Sequence, residues 1–403
     1  MRKSRFWWVI VVFMLLIDLY FFQALRVVTA GSGSATRIIV ILLYWLLSFA
    51  AIFIFWALPY MKTKLVTRLA RTTVFSVMLG LFIAKLVASL FFLGNDIYRL
   101  VQRIGGEALP RSYEVSWAGI IAGGTLFGIL IYGFNNKYRY QVKRIKLHYK
   151  NLPAAFAGLK IVHISDIHSG SLTNKQAVIK GVHKIMKEQP DLILFTGDLV
   201  NNVADEMNDY IDVFNQLRAP LGVYSTLGNH DYGDYVHWKT IEEKQANLER
   251  LKQVHHTMGW RLLMNEHIVL EKGEDKIAVM GIENWSAKAR FPKYGSLEKA
   301  HAGAKAYPFK ILMSHDPSHW KAEVLKGYPD IDLMLAGHTH GMQFGLEMPL
   351  FKFKWSPVQY VYKEWAGLYE MNEQRLYVNR GFGFLGYPGR SGIMPEITVL
   401  ELN

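Results

Sequence analysis

The first third of the chain consists of four long runs of apolar residues separated by short polar stretches. Each run has roughly the ~20 residues that a helix needs to cross the hydrocarbon core of a bilayer. A helix packed on a soluble core would be shorter and would carry a polar stripe. The pattern therefore predicts four membrane spans, at about residues 6–25, 38–60, 74–93 and 117–134.

After about residue 140 the pattern changes to short apolar runs that alternate with amphipathic stretches, and residues 145, 147 and 149 alternate like a strand with one buried face. We expect buried strands at residues 159–164, 191–195, 221–226, 277–282, 309–313 and 331–335. We expect helices near residues 174–188, 205–217 and 237–254. This alternation predicts an α/β domain with helices outside the sheets. The predicted organisation is a multi-pass transmembrane region at 1–136, followed by the α/β domain at 137–403.

The positive charge is unevenly distributed along the chain. The net charge is +13, yet residues 1–150 hold 19 Lys and Arg against 4 Asp and Glu, whereas residues 151–403 hold 27 against 29. The excess lies among the apolar runs, so we expect no nucleic-acid partner for the second part. The chain has no cysteine, which excludes disulfides, zinc–thiolate sites and thiol catalysis.

The basic residues predict the orientation in the membrane. They cluster before the first span, between the second and third spans, and after the fourth: Arg2, Lys3, Arg5; Lys62, Lys64, Arg68, Arg71; Lys137, Arg139, Lys143, Arg144, Lys146, Lys150. Basic loops stay on the cytoplasmic side. We therefore expect a multi-pass protein of the cell membrane with its N-terminus and everything after residue 135 in the cytoplasm. Residues 28–30 resemble a signal-peptidase site, but the preceding apolar run is longer than a signal core and favours an uncleaved anchor.

Two charged residues interrupt the predicted spans. Asp18 is the thirteenth residue of the first span and Lys85 the twelfth of the third, which runs in the same direction, so both lie at nearly the same depth. We expect an ion pair, because an unpaired charge inside a bilayer is costly. The alternative is a Lys85 that snorkels alone beside a protonated Asp18. Gly124 and Gly128 form a small-xxx-small pair in the fourth span, which favours ordinary close helix packing over the alternative of a dimer seam.

Candidate metal ligands follow the predicted strands of the α/β domain. In chain order they are Asp166, His168, Asp198, Asn229, His230, Asp231, His315, His338 and His340. A single histidine at a strand end is usually structural, but a whole series in this position favours a function. Carboxylates and imidazoles gathered at strand ends suit a divalent metal, and a two-metal centre can activate water for attack on phosphorus.

These motifs resemble those of the calcineurin-like metallophosphoesterases, over about residues 140–403. The matching stretches are Asp-Ile-His at 166–168, Gly-Asp at 197–198, Gly-Asn-His-Asp at 228–231, His315 and Gly-His-Thr-His at 337–340. Residues 340–343, 379–383 and 395–397 further resemble the membrane-associated bacterial branch, which includes enzymes related to UDP-2,3-diacylglucosamine pyrophosphatases. The resemblance implies two β-sheets sandwiched between helices.

The resemblance also implies a ligand set for two divalent ions. One ion would be held by Asp166, His168 and His340. The other would be held by Asn229, His315 and His338. Asp198 would bridge the two ions, and His230, oriented by Asp231, would donate a proton to the leaving oxygen or stabilise the transition state. Mixed nitrogen and oxygen ligands suit Mn, Fe or Zn, among which the sequence does not choose.

Residues 342–368 are rich in aromatic residues interleaved with lysines. One interpretation is a lid that accepts lipid chains or dips into the bilayer surface, with Phe351 and Trp355 contacting the substrate. The other is a hairpin whose aromatic residues pack on the sheet. Gln343 and Arg380 are candidate phosphate contacts, although Arg380 fits a sheet-edge ion pair equally well.

The expected function is a membrane-anchored phosphoesterase that cleaves a phosphodiester or pyrophosphate bond of a lipid-linked substrate, by attack of a metal-bridging water or hydroxide. One alternative is a membrane-tethered phosphodiesterase for soluble nucleotides. Another is a transport or sensory membrane protein that uses the fold as a binding module.

Overall fold

The computed structural model describes residues 2–57, 68–288, 291–351 and 353–403. The chain forms two compact units. The first comprises Met1–Phe134 together with Gly386–Pro388, and the second comprises Asn135–Leu385 together with Gly389–Asn403. Each unit is described by itself.

Four helices make up the first unit: α1 (Arg2–Val28), α2 (Ser34–Ala57), α3 (Arg68–Ile104) and α4 (Tyr113–Gly133). All four are long and apolar enough to cross a membrane, which confirms the number of predicted spans. α3 has 37 residues, or about 55 Å at the rise of an α-helix, so it is much longer than the predicted span. Residues 58–60 of the second predicted span, and Lys62 and Lys64, lie outside the described residues.

The expected intramembrane ion pair is present in the first unit. Lys85 Nζ lies 2.5 Å from Asp18 Oδ1, and Asp18 is buried. Lys85 Nζ also donates to Ser48 Oγ at 2.8 Å, and Tyr44 Oη donates to the backbone oxygen of Asp18 at 2.8 Å. The pair therefore joins α1, α2 and α3 through side chains that satisfy one another.

The close packing of α4 uses different glycines from those expected. A Cβ at Gly123 would lie 2.5 Å from the backbone oxygen of Ala84, and one at Gly119 would lie 2.6 Å from Phe92. At Gly124 and Gly128 a Cβ would meet no atom of the described residues within 4 Å. The prediction of close packing at Gly124 and Gly128 was therefore wrong, because those glycines lie on the other face of the helix.

Two six-stranded sheets form the centre of the second unit. The first has the order β1-β14-β2-β3-β4-β5: Gln141–Leu147, Glu396–Leu402, Leu159–Ile164, Leu192–Phe195, Val223–Ser225 and Arg261–Leu262. The second has the order β12-β13-β9-β8-β7-β6: Gly367–Met371, Gln374–Val378, Leu333–Ala336, Lys310–Met313, Asp275–Gly281 and Glu266–Lys272. β2 to β5 are parallel in the first sheet, and β7, β8, β9 and β13 are parallel in the second. A separate hairpin pairs β10 (Leu346–Met348) with β11 (Phe353–Trp355).

Five α-helices accompany the sheets: α5 (Lys175–Lys187), α6 (Ile211–Phe214), α7 (Ile241–Thr257), α8 (Leu297–Ala302) and α9 (Leu325–Gly327). α5 begins where expected, whereas α7 begins four residues later than expected. Asn174 and Thr240 accept hydrogen bonds from the first-turn amides and set these starts. The helix expected at 205–217 is instead a 3-10 turn at Ala204–Met207 followed by the single turn of α6. Glu206 accepts from the backbone amide of Asn201, five residues earlier in the chain, at 2.6 Å.

Alternating strand residues divide the core into three layers. Leu192 and Leu194 of β3 join a cluster that includes residues of β7, β8 and β9, so they lie between the two sheets. Ile193 and Phe195 face the opposite side and pack in a cluster with residues of α5 and α7. The second sheet has the same arrangement, with its outer face packed against α8. The structure therefore confirms the predicted sandwich, in which the ends of β2, β3, β4, β8 and β9 lead into the site.

Candidate metal centre

The ligand-bearing turns at the strand ends hold non-glycine residues in the left-handed region. The φ angles are 52° at Asp166, 47° at His168, 62° at Asp198, 70° at His338 and 51° at His340. Such conformations are uncommon for residues with a Cβ, and they cluster at functional sites. The surrounding sandwich therefore holds these turns in a strained form.

One glycine allows the turns to approach each other. Gly197 has a φ of 92°, and a Cβ there would lie 2.4 Å from the backbone nitrogen of Gly228. Only glycine tolerates both the conformation and the contact. The turns after β3 and β4 therefore meet directly, which places Asp198 beside the 228–231 segment.

Asp166, His168 and His340 form the first ligand group. Their donor atoms lie within 4.8 Å of one another, and all three residues are buried. His168 Nε2 lies 3.0 Å from His340 Nε2, and His340 Nε2 lies 3.3 Å from Asp166 Oδ1. The backbone amide of His338 donates to Asp166 at 3.0 Å, which fixes the carboxylate. Three unprotonated donors in this arrangement suit a cation.

Asp198, His315 and His338 form the second ligand group, also within 4.8 Å. Asp198 Oδ2 lies 3.1 Å from His315 Nε2 and 3.5 Å from His168 Nε2 of the first group. Asp198 therefore lies between the two groups, as a bridging carboxylate must. His315 Nδ1 donates to the backbone oxygen of Thr196 at 2.7 Å, which leaves Nε2 as the ligand atom.

Asn229 provides a test of whether a cation fits this site. Its Oδ1 is buried and has no hydrogen-bond partner among the residues that the structure describes. Its Nδ2 donates to Tyr235 Oη at 2.7 Å, which fixes the amide orientation. An unsatisfied buried oxygen costs roughly 1–3 kcal/mol, so it is expected where a ligand satisfies it. The donors therefore fit a divalent cation.

His230 is held next to the second ligand group, but not by the residue expected to orient it. Its backbone amide donates to Asp198 Oδ1 at 2.8 Å, and its Nδ1 lies 2.7 Å from the backbone oxygen of Asn201. The carboxylate of Asp231 instead accepts from the amides of Asp198, Leu199 and Gly228 at 2.8 to 2.9 Å. The structure thus corrects the expected role of Asp231, whose carboxylate holds the ligand-bearing loops together.

Burial controls the protonation of the ligand groups. It lowers the pKa of His168 to about 3 and raises that of Asp166 to about 6. Burial alone would lower the pKa of His315, but the adjacent Asp198 carboxylate outweighs this and raises it to about 10. His315 is therefore protonated against Asp198 when no cation is bound. Cation binding there must displace a proton.

Arg380 and Gln343 bind other residues of the fold: Arg380 forms ion pairs, and Gln343 forms hydrogen bonds with the backbone. Arg380 is 5% exposed, its Nη1 pairs with Glu396, and its Nε donates to Glu347 at 2.8 Å. Gln343 Nε2 donates to the backbone oxygen of Gly389 at 3.1 Å, and its Oε1 accepts from the amide of Leu385 at 2.6 Å. This geometry favours the ion-pair interpretation of Arg380 over a phosphate contact, and it places Gln343 as a link between loops.

The aromatic stretch contains both exposed and buried residues. Phe351 is at the tip of the β10–β11 hairpin and is exposed, whereas Trp355 is in the stem and packs edge-on against Phe344. Tyr362 and Trp365 are buried beyond the hairpin. The stretch is therefore a hairpin, but its tip is not packed on a sheet.

Two further residues contact the site, and no pattern in the sequence identifies them. Arg390 is buried, and its guanidinium donates to the backbone oxygens of Arg380 at 2.7 Å and Gly381 at 3.2 Å, while burial lowers its pKa to about 9. Tyr362 Oη lies 2.9 Å from His338 Nε2. Both contacts join distant parts of the chain, so local spacing does not reveal them.

Buried carboxylates, imidazoles and an amide at the strand ends of a two-sheet sandwich define a metal-dependent hydrolase site. Residues 159–342 match the family model of the calcineurin-like phosphoesterases. Residues 2–137 match the model described as the transmembrane domain of a probable calcineurin-like phosphoesterase. The chain belongs to the calcineurin-like phosphoesterases, and it is a membrane metallophosphoesterase that hydrolyses phosphoric esters.

Relatives from animals and bacteria share this organisation or its enzymatic part. A transmembrane protein with metallophosphoesterase domain from Danio rerio is 30% identical over 333 residues, which cover 78% of this chain and 71% of the relative. A UDP-2,3-diacylglucosamine pyrophosphatase, LpxG, from Chlamydia muridarum is 31% identical over 279 residues, which cover 58% of this chain and 81% of the relative. The uncharacterised metallophosphoesterase YkoQ of Bacillus subtilis is 27% identical over 267 residues, which cover 65% of this chain and 90% of the relative.

Proposed function

We propose that this membrane enzyme hydrolyses a phosphodiester or pyrophosphate bond in a lipid-linked substrate. The observation that carries the proposal is the exposed apolar tip of the β10–β11 hairpin. β10 begins six residues after His340, and after β11 the chain returns to Ser356, whose Oγ donates to the backbone oxygen of Gly341 at 2.8 Å. The hairpin thus leaves and rejoins the fold beside a ligand-bearing turn.

The tip presents side chains with affinity for acyl chains. Leu350, Phe351 and Phe353 are 88%, 73% and 45% exposed. Burying one such side chain against an apolar partner contributes roughly 1.5–3 kcal/mol. The acyl chains of a lipid offer an extended apolar surface that can cover all three side chains, whereas a soluble nucleotide offers one flat base that stacks on a single ring.

Charged contacts fix the stem of the hairpin. Glu347 of β10 accepts from Arg380 Nε at 2.8 Å, and Lys143 Nζ lies 3.1 Å from its Oε2. Lys143 is in β1, ten residues after the last residue of α4. A rigid stem keeps the exposed tip in a defined position relative to the turn that carries His340.

The similarity to LpxG supports the same substrate class. The name of that relative describes an enzyme that acts on the pyrophosphate of a diacylated sugar nucleotide. The identity to that relative is 31% over 58% of this chain. We therefore propose the lipid-linked phosphoester as a class rather than this compound.

We assign two divalent ions, Mn, Fe or Zn, to the two ligand groups. The first ion is assigned to Asp166, His168 and His340. The second is assigned to Asn229, His315 and His338. Two such ions would supply Lewis acidity, which would lower the pKa of a water molecule and neutralise negative charge on the phosphoryl oxygens. Asp198 is assigned to both ions.

His230 is proposed as the proton donor to the leaving oxygen. The backbone oxygen of Asn201 accepts the Nδ1 proton, so Nε2 is the position from which a proton can be delivered. The amide bond to Asp198 places the imidazole next to the ligand groups. His230→Ala therefore should slow poor leaving groups more than activated ones.

We further propose that residues 1–136 anchor the enzyme, that residues 137–403 form the catalytic domain, and that the N-terminus and this domain are cytoplasmic. The distribution of basic residues supports this orientation. Since the chain has no native cysteine, single cysteines placed after residue 150 give a clean labelling test. Labelling of such cysteines by an impermeant maleimide in intact cells would contradict the orientation.

Metal-dependent hydrolysis is tested with bis(p-nitrophenyl) phosphate as the substrate. The purified full chain is stripped of metal and assayed again with added Mn, Fe or Zn. Metal should restore hydrolysis in the wild type and not in Asp198→Ala, whereas His230→Ala should lose less activity on this activated diester than on a diester with a poorer leaving group. Bound metal without hydrolysis would contradict the proposed function.

The substrate class is tested by polar substitution of the tip. Leu350→Ser/Phe351→Ser should raise the KM for a lipid pyrophosphate in mixed micelles roughly tenfold or more, while activity on bis(p-nitrophenyl) phosphate stays within about twofold. Tyr360→Ser is the matched control, because Tyr360 is 73% exposed in the same stretch but outside the hairpin. Trp355→Ala, in the stem, should lower both activities. Equal effects of the tip variant on both substrates would overturn the lipid assignment.

A further inference from the structure

Tyr362 links a metal-ligand histidine to a buried carboxylate. Its side chain is 5% exposed, and its Oη donates to Asp316 Oδ2 at 3.0 Å. The same Oη lies 2.9 Å from His338 Nε2. Asp316 Oδ2 is 3.6 Å from His338 Nε2, which is beyond a direct hydrogen bond. The tyrosine hydroxyl therefore forms the connection.

The donors and acceptors define the direction of this chain of hydrogen bonds. A carboxylate only accepts, so the single proton of the Tyr362 hydroxyl is directed at Asp316. The hydroxyl oxygen must then accept from His338, which requires the proton of the imidazole on Nε2. With Nε2 protonated, the lone pair of His338 is on Nδ1, and Nδ1 lies 3.3 Å from His315 Nε2 within the second ligand group.

We propose that Tyr362, held by Asp316, is a positioning residue that fixes the tautomer and ring orientation of His338, so that Nδ1 faces the cation of the second ligand group. Metal-ligating histidines usually donate their other N–H to a carboxylate or carbonyl, and loss of such a partner costs 10- to 100-fold in metal affinity. Here a tyrosine hydroxyl stands between the histidine and the carboxylate. This role is distinct from both interpretations of the aromatic stretch, since Tyr362 neither lies at the hairpin tip nor merely fills space on a sheet.

A backbone amide fixes the orientation of the Asp316 carboxylate. The amide of Ser318 donates to Asp316 Oδ1 at 2.8 Å, so the oxygen that faces Tyr362 is Oδ2. The backbone therefore fixes the carboxylate, which fixes the hydroxyl, which fixes the imidazole. Replacing Asp316 by Asn keeps the volume but offers an amide in place of the accepting carboxylate.

The test is a metal titration of the full-length protein in detergent, after stripping, with Mn²⁺ or Zn²⁺ competed against a chelator. Tyr362→Phe should weaken one binding phase 10- to 100-fold. The weakened phase should be the one altered in His315→Ala, of the second group, and not the one altered in His168→Ala, of the first. At saturating metal, kcat on bis(p-nitrophenyl) phosphate should recover to within a few fold of the wild type.

Tyr369→Phe is the matched control. Its hydroxyl accepts from Lys354 Nζ at 3.0 Å and from the amide of Trp365 at 3.0 Å, in the same part of the chain but away from the ligands. Its metal titration should match the wild type. Asp316→Asn should weaken the same phase as Tyr362→Phe, and the double variant should be no weaker than the weaker single variant, because both changes break one chain of contacts.

The proposal is overturned if Tyr362→Phe binds metal like the wild type, if it weakens both phases equally, or if its effect adds fully to that of Asp316→Asn. Thermal unfolding of the metal-free proteins shows whether each variant is folded. Should Tyr362→Phe not fold, Asp316→Asn carries the same test, since it preserves the packing of both side chains. The readout is metal affinity, so the proposal can fail while the hydrolytic function stands.

Discussion

Charged groups are buried in both units of this enzyme, but they are satisfied in different ways. In the membrane-spanning unit, Asp18 and Lys85 pair at 2.5 Å and gain further hydrogen bonds from Tyr44 and to Ser48. In the α/β unit, the buried carboxylates of Asp166 and Asp198 converge with imidazoles, and the buried Oδ1 of Asn229 has no hydrogen-bond partner among the described residues. The first network satisfies itself, and the second needs a cation. Buried charge of the first kind holds helices together, whereas buried charge of the second kind marks a binding site.

Asp198→Asn is the variant with the largest expected effect, and it tests whether the buried charge of the α/β unit serves the metal site. The change removes the charge between the two ligand groups but keeps an oxygen that can accept from the amide of His230. Hydrolysis of bis(p-nitrophenyl) phosphate should fall by at least ~10³-fold, about 4 kcal/mol in the barrier, because the metal site loses its shared carboxylate. Thermal unfolding of the metal-free variant shows whether it is folded. Activity within tenfold of the wild type would show that the metal site does not need the charge of Asp198.

Lys85→Met should lower the stability of the protein and leave its hydrolytic activity unchanged. It leaves Asp18 without its cation in the bilayer, which costs about 3 kcal/mol. The free energy of unfolding, measured by SDS titration of the protein in mixed micelles, should drop by that order, while kcat of the folded enzyme is unchanged.

The double variant Asp18→Asn/Lys85→Met is the control for Lys85→Met. Removing both charges should recover most of the lost stability, since no unpaired charge remains. A double variant as unstable as Lys85→Met would show that shape, rather than charge, is what the pair contributes.

The smallest expected effect concerns a buried histidine that carries no charge at neutral pH. His255 lies in the core with Nδ1 2.9 Å from Ser225 Oγ, and burial lowers its pKa to about 3. The unfolded chain takes up this proton at its ordinary pKa near 6.5, so stability falls as pH decreases from about 6.5 towards 3. The loss is about 1.4 kcal/mol at pH 5.5, one unit below the unfolded pKa.

His255→Gln should remove this part of the acid dependence in unfolding experiments at pH 7.5 and 5.5. His256→Gln is the control, because the neighbouring His256 is exposed. Identical acid slopes for the wild type and His255→Gln would show that His255 does not titrate differently in the folded state.

Regular geometry made part of this molecule predictable. Asp18 and Lys85 were paired from the constant rise of a helix alone. Asp166, Asp198 and His315 were found because each follows a predicted buried strand, although the structure places these strands in two different sheets. The ligand roles of these residues rest on the family resemblance and stay predictions.

Contacts between distant loops were not predictable in the same way. Arg380 binds Glu347, which is 33 residues earlier, and Glu396, which is 16 residues later, and no local period relates these positions. Asp231 was assigned to orient His230 because it is adjacent in sequence, yet its carboxylate points to backbone amides of another loop. In each case a tertiary hydrogen bond outweighed the local pattern.

The left-handed turns have a consequence for the stability of the fold. Asp166, His168, Asp198, His338 and His340 all have positive φ angles, and each such residue costs of the order of 1 kcal/mol compared with glycine. Replacing any of them by glycine would relieve strain at the same time as it removed a ligand. The candidate ligands therefore occupy backbone positions that favour glycine, so the conformation that gathers these side chains is itself costly to the fold.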